Sequence, residues 1–215
     1  MSRRNYTTID HLVMNANHAI RTLFGKPDIT ERPNPAKDCT NETDLTEKER
    51  KLSAALMRIN HAGEVSAQGL YRGQALTAKL PEVRSKMERA AQEENDHLDW
   101  CEKRLVELDS YTSRLNPVWY FGSLAMGATA GWIGDKWSLG FVVETEYQVI
   151  RHLDEHLGKL PKADQKSHII LQQMKEDEAH HATIALHAGA APLPWPVKKM
   201  MSVTSKIMTR SAYWL

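Results

Sequence analysis

A chain of 215 residues, 41% hydrophobic and 26% charged, has room for one well-buried core with at most some appendages, and its composition is that of an ordinary globular protein. A formal net charge of +1 argues against a generic nucleic-acid binder, so any attraction to an anionic surface has to be local. Cys39 and Cys101 are too few for a disulfide framework; with Cys101 reading as a small core residue, they favour a reducing compartment, either cytosol or a cytosolic membrane face.

The opening MSRRNYTTID carries two arginines but no apolar run, which fits neither a signal peptide nor a transit peptide and predicts a bacterial-type protein without a cleaved leader. Ile9, Leu12, Val13, Ala16, Ile20 and Leu23 then mark an amphipathic helix, and residues 25–44, with Pro27, Pro33 and Pro35 among polar residues, read as a linker. Thr46 and Glu49 form a capping box in sequence, opening a helix through Leu52, Leu56, Ile59 and Leu70 to about Ala78. Pro81 suits the first turn of the next helix, Glu82 to about Leu108, because its missing N–H has no intrahelical partner there. Asn116 and Pro117 break the pattern. Residues 115–134 lack charge and mix Trp119, Tyr120, Phe121, Met126 and Trp132 with four glycines. This stretch is borderline in length for a membrane span, and reads equally as an interfacial helix or the wall of an entry path, or as a buried crossover. Two more helices follow, Asp135 to Leu160 and Lys162 to Ala188, separated by Pro161. With strand signals absent, the reading is all-α: a four-helix bundle over 45–191 made of two hairpins, an N-terminal helix and linker over 1–44, and a helical tail over 192–215.

Glu94 with His97 and Glu178 with His181 stand three apart on two of these helices. That spacing puts a carboxylate and an imidazole about 60° apart around the axis, where both can approach one metal ion. Val83, Met87, Ala90, Cys101, Leu105 and Leu108 form an apolar stripe that contains Glu94 and His97, whereas Glu93, Asp96 and Asp99 project elsewhere and read as solvated. An unpaired carboxylate in such a stripe would cost several kcal/mol or be protonated, and a metal removes that cost. Glu146 lies near the centre of the stripe Leu139, Val142, Val143, Ile150, Leu153 and Leu157, with Glu144 pointing away. His181 sits among Ile170, Met174, Ile184 and Ala188, with Glu178 nearer the margin; Asp177 is left as an acceptor that orients a ligand imidazole. Glu64 lies about 100° from the stripe of its own helix. It is nevertheless the only acidic residue between Glu49 and Glu82, so it is the carboxylate the first bundle helix has to offer.

Four carboxylates and two neutral imidazoles balance two divalent cations. They match the ligand set of ferritin-like di-iron bundles and suit iron or manganese better than a thiolate-loving ion. Six residues shared by two ions leave positions open to oxygen or water, which favours redox chemistry over a purely structural site.

The segments Arg58-Ile59-Asn60-His61-Ala62-Gly63-Glu64, Glu94-Asn95-Asp96-His97, Glu146 followed by His152, and Glu178-Ala179-His180-His181 together resemble the demethoxyubiquinone hydroxylases, the di-iron monooxygenases of ubiquinone biosynthesis. The resemblance runs from about Leu45 to the C-terminus. It implies Glu64, Glu94, His97, Glu146, Glu178 and His181 as ligands of two iron ions, with O2 as co-substrate. It implies hydroxylation of the ring of a polyprenylated methoxy-methyl-benzoquinol, with electrons from NADH or from the quinol itself; no nucleotide-binding motif is present. Tyr147 and His152 are candidates for relaying protons or electrons, each with a structural reading beside it.

A substrate with an isoprenoid tail comes from a membrane. After Pro192, Pro194 and Pro196, the residues Val197, Met200, Met201, Ile207, Met208 and Leu215 fall on one helical face, with Lys199, Lys206 and Arg210 opposite and Tyr213 and Trp214 at the end. A basic amphipathic helix of this kind fits an anionic surface, here the cytoplasmic face of a bacterial inner membrane. Its alternatives are a helix docked on the bundle and contact with a second copy or another ubiquinone-biosynthesis subunit. Two other readings use the same ligands: a ferritin-like iron oxidase or peroxidase, and a non-catalytic membrane-associated bundle stabilised by metal.

Overall fold

The computed structural model describes residues 8–30, 32–40 and 44–215, so the reading of the first seven residues, and of the Ile9 and Leu12 side chains, lies outside it. Among the described residues the chain forms seven helices and no strand: α1 (Thr8–Phe24), α2 (Glu47–Thr77), α3 (Pro81–Glu107), α4 (Asn116–Ile133), α5 (Asp135–Lys159), α6 (Gln165–His187) and α7 (Trp195–Trp214). The capping box opens α2: the Glu49 N–H donates to Thr46 Oγ1 at 3.3 Å and the Thr46 N–H to Glu49 Oε2 at 3.0 Å. Pro81 occupies the first turn of α3. Helix α6 starts three residues later than expected because the Asp164 carboxylate caps it, accepting from the Ser167 N–H at 3.0 Å and from Arg104 at 2.7 Å.

Helices α2 and α3 form one hairpin and α5 and α6 the other, and contacts of α3 with α6 and of α2 with α5 close a four-helix bundle. Its core lies in two apolar layers. Met57, Trp100, Leu105, Leu153 and Met174 fill one, and Tyr71, Val83, Met87, Leu139 and Val142 the other. Each such buried side chain contributes on the order of 1.5–3 kcal/mol relative to exposure.

Helix α4 stands outside the four and runs parallel to α2, in the most extensive helix–helix contact of the fold. Glycines make that approach possible: a Cβ added at Gly73 would run into the Leu124 carbonyl, and one at Gly127 into the Leu70 carbonyl. Gly73→Ala and Gly127→Ala should therefore each cost about 1–3 kcal/mol by forcing two backbones apart. Gly158→Ala, whose Cβ meets nothing within 4 Å, should be neutral or slightly stabilising; thermal melts of the three variants check the contrast.

The open reading of residues 115–134 resolves into two faces of one helix. Tyr120, Ser123, Gly127 and Ala130 are buried, while Val118, Phe121 and Trp132 lie 60%, 55% and 75% exposed. No described helix is long and apolar enough to cross a membrane. The single apolar face expected for the tail divides too. Val197, Met201, Met208 and Ala212 turn to the bundle, and Met200, Val203, Ile207 and Trp214 remain exposed on another side of α7. Arg58 pins the end of α7 by donating to the Tyr213 carbonyl at 3.0 Å as well as to Tyr111 O and Ser110 Oγ.

Candidate metal centre

Midway along the bundle each of its helices turns one or two acids or imidazoles inward: Glu64 from α2, Glu94 and His97 from α3, Glu146 from α5, Glu178 and His181 from α6, none more than 6% exposed. Their donor atoms form two overlapping groups, each with all atoms within 4.8 Å of one another. One is Glu64, Glu94, His97 and Glu178; the other is Glu94, Glu146, Glu178 and His181. Glu94 and Glu178 belong to both groups, Glu64 and Glu146 to one each. His97 Nδ1 lies 3.0 Å from Glu94 and 3.2 Å from Glu178, and His181 Nδ1 lies 3.1 Å from Glu178 and 3.3 Å from Glu94.

The structure thus gathers all six sequence-predicted residues, and it removes the doubt about Glu64 that helical facing raised. Helix α2 is buried on every side, against α3 and against α4 and α7, so its aliphatic stripe does not define its only inward face. Glu178 is central rather than marginal, at 1% exposure. Glu144 points away from the cluster as expected but is not solvated: it pairs with Lys198 of α7 at 3.1 Å and accepts from Gln148 at 2.9 Å. Neither Tyr147 nor His152 belongs to the cluster; Tyr147 is exposed, and His152 Nε2 sits 3.0 Å from Ser205 Oγ.

Outside the ligand candidates lies a second ring of acids, of which Glu93 and Asp96 read as solvated in the sequence. His97 Nε2 lies 2.9 Å from Asp177 and His181 Nε2 lies 2.8 Å from Glu93. Each acid immediately precedes the glutamate of one Glu-x-x-His pair and engages the imidazole of the other. An acceptor there keeps the Nε2 proton in place and leaves the Nδ1 lone pair facing inward. Only Asp177 was foreseen in this role; the acidic residue before both glutamates was the signal for Glu93. Asp96, also read as solvated, is fully buried because the linker folds over it. The Thr30 N–H and hydroxyl donate to its carboxylate at 2.7 and 2.6 Å, and Arg32 bridges Asp96 and Asp177, 2.8 Å from each. Arg32 also lies over the Trp100 ring, which in turn contacts His97.

Burial, reinforced by the neighbouring carboxylates Glu94 and Glu178 respectively, raises Glu64 and Glu146 well above the usual carboxylate range. Burial acts the same way on Glu94 but loses to hydrogen bonds with His181 and His97, which hold it well below that range. Burial lowers both imidazoles, yet the acids around them win, chiefly Asp177 for His97 and Glu178 for His181, so both are raised. Asp177 falls to about 2, burial being outweighed by His97 and Arg32. Protons therefore do in the metal-free protein what cations would do in the loaded one. The residues fit a pair of divalent cations on a further observation: Glu146 Oε1 is buried among them without a hydrogen-bond partner.

The pH dependence follows in sign. Glu64, Glu146, His97 and His181 bind protons more tightly folded than unfolded. The metal-free fold should thus lose stability as pH rises from about 5 to 8. The same protons leave when cations bind, so affinity for Mn2+ or Fe2+ should rise across that range. Thermal melts with and without metal check both trends, and a metal-free melting temperature that climbs with pH would contradict them.

A cavity of about 280 Å3 reaches Glu64 from outside the bundle, between α2, α4, α5 and α7. Its walls are mainly apolar, including Leu70, Trp119, Met126, Phe141 and Met201, with Gln148, His152 and Ser205 as polar points.

Residues 51–212 match a protein-family model described as Ubiquinone biosynthesis protein COQ7. The chain is 55% identical over all 215 residues, and over the whole of the other chain, to a protein of Nitrosococcus oceani named 3-demethoxyubiquinol 3-hydroxylase. It is 55% identical over 212 residues to one of the same name in Stutzerimonas stutzeri, covering 99% of this chain and 98% of the other. A third protein of that name, in Nitrosomonas eutropha, is 53% identical over 207 residues, covering 96% and 99%.

Proposed function

Since the chain belongs to the COQ7 family of ubiquinone biosynthesis proteins, we propose that it is a 3-demethoxyubiquinol 3-hydroxylase, an O2-dependent monooxygenase acting on the ring of a polyprenylated benzoquinol. One observation carries this beyond family membership: an apolar cavity of about 280 Å3 ends at Glu64, one of six buried residues suited to hold two metal ions. A purely ferroxidase site has no need of such a cavity. Hydroxylation adds one oxygen atom of O2 to a ring carbon and releases the other as water, using an electron pair supplied by NADH or by the quinol.

Glu64, Glu94, His97 and Glu178 would hold one iron, and Glu94, Glu146, Glu178 and His181 the other. Bound iron would supply the redox reaction with O2 that protein side chains lack. The chain's own residues do the rest. Leu70, Phe141 and Met201 exclude water around the ring. Asp177 and Glu93 hold the two imidazoles in one tautomer. Gln148 and His152 stand where the polar edge of a quinol needs partners.

The cavity is flanked by α4 and α7, both of which carry exposed apolar side chains, and Lys199, Lys206 and Arg210 lie beside the stripe of α7. This supports a peripheral seat on a membrane, the cytoplasmic face of a bacterial inner membrane, from which a tailed quinol slides between the two helices.

The decisive experiment supplies iron-loaded, reduced protein with O2 and a short-chain demethoxyquinol. Hydroxylated quinol is expected by mass spectrometry, and its absence would refute the reading. Flotation of the same preparation with anionic vesicles, weakened by Ile207→Glu, tests the membrane seat; equal flotation of the variant would count against it.

A further inference from the structure

A second cavity, of about 300 Å3, approaches the cluster from the side of α3 and α6, with Tyr71 of α2 and Leu139 and Val142 of α5 completing its walls, and shares no lining residue with the first. Its inner wall is buried and mainly apolar, made by Tyr71, Met87, Leu139, Val142 and Ala185, and His181 stands at its end paired with Glu93 at 2.8 Å. Its rim is different in kind: Lys86, Arg89 and His180 are exposed there beside Ile184. The first cavity meets the cluster at Glu64, in one group of donors, and the second at His181, in the other.

We propose that this second cavity is the route and waiting site of O2, separate from the cavity that takes the quinol. The inference rests on the hydroxylase reading. A quinol with its tail in place fills the first cavity and blocks diffusion through it, yet the reaction needs both substrates at the cluster together. Dioxygen is small, uncharged and apolar, and gains by leaving water for an apolar space. An apolar cavity half this size is enough to bind xenon or benzene. The charged rim offers nothing to a membrane-borne quinol, whereas a neutral gas passes it unhindered. Ala90 and Ala185, both on the lining, set the bore.

Two measurements decide the matter. Crystals of the full-length protein under xenon pressure should show xenon between Met87, Val142 and Ala185, with and without metal. Ala90→Phe, and independently Ala185→Leu in case one of them folds poorly, should displace that xenon. In the iron-loaded enzyme these variants should raise KM for O2 by about tenfold, an added barrier of about 1.4 kcal/mol on access, while kcat at saturating O2 and KM for the quinol stay put. Xenon absent from the cavity, or KM for O2 unmoved in a folded variant, overturns the proposal. So does a KM for O2 that follows Lys86→Ala and not added bulk, since the space would then serve an anion. If the protein hydroxylates no quinol, the xenon result and the rate of O2-driven oxidation of the ferrous protein still judge the cavity by itself.

Discussion

Glu146→Ala should leave the protein unable to hold its metal pair and lower hydroxylation by more than the roughly 10–100-fold typical of losing an outer hydrogen-bond partner. Glu144→Ala, two residues away, should keep both metal and activity. Glu146 is 2% exposed, shares its donor group with Glu94, Glu178 and His181, and has one carboxylate oxygen with no hydrogen-bond partner in the protein. Removing it takes away the only acid that α5 turns to the cluster. Glu144 lies about 200° around the helix from it. Its loss releases Lys198 and Gln148 and should cost about 1 kcal/mol of stability without touching the cluster. Metal content by atomic emission and product yield settle the comparison, and loss of metal from the Glu144 variant alone would reverse the assignment.

Asp177→Asn should weaken one metal position selectively. The substitution keeps an acceptor near His97 Nε2 but removes the charge that also anchors Arg32. Affinity at the position served by His97 should fall by about 10–100-fold, and the position served by His181, whose imidazole leans on Glu93, should be spared. Arg32→Ala should act in the same direction but less, because Asp177 remains. Glu93→Gln should reverse the selectivity. Stepwise Mn2+ binding followed by calorimetry and electron paramagnetic resonance separates the two positions; an Asp177 variant that loses both ions equally would show that the two halves of the site are not held independently.

These outcomes depend on residues of unequal visibility in the sequence. The Thr46–Glu49 box, Pro81 at the start of α3 and the two Glu-x-x-His pairs were legible because they rest on contacts within one helical turn. Glu146 was legible for the same reason: a long apolar stripe on α5 dictates which glutamate turns inward. The facing of Glu64 was not, because α2 is enclosed by α4 and α7 as well as by its bundle partners, so burial on it has no single side. Asp96 and Glu93 were misread as solvated for a related reason: their partners, Thr30 and Arg32 for one and His181 for the other, are distant in the chain and reach them only after folding.

Local spacing and periodicity by themselves determined the all-helical hairpins and most of the acids and imidazoles the bundle turns inward, since side chains three and four apart must share a helix face whatever surrounds them. Tertiary structure alone decided which carboxylates serve both donor groups, that each imidazole leans on the acid of the opposite pair, that Arg32 ties the linker to the site, and that two separate cavities approach it. Those features arise between segments, where hydrogen-bond geometry and exclusion of water depend on distances that no single helix sets.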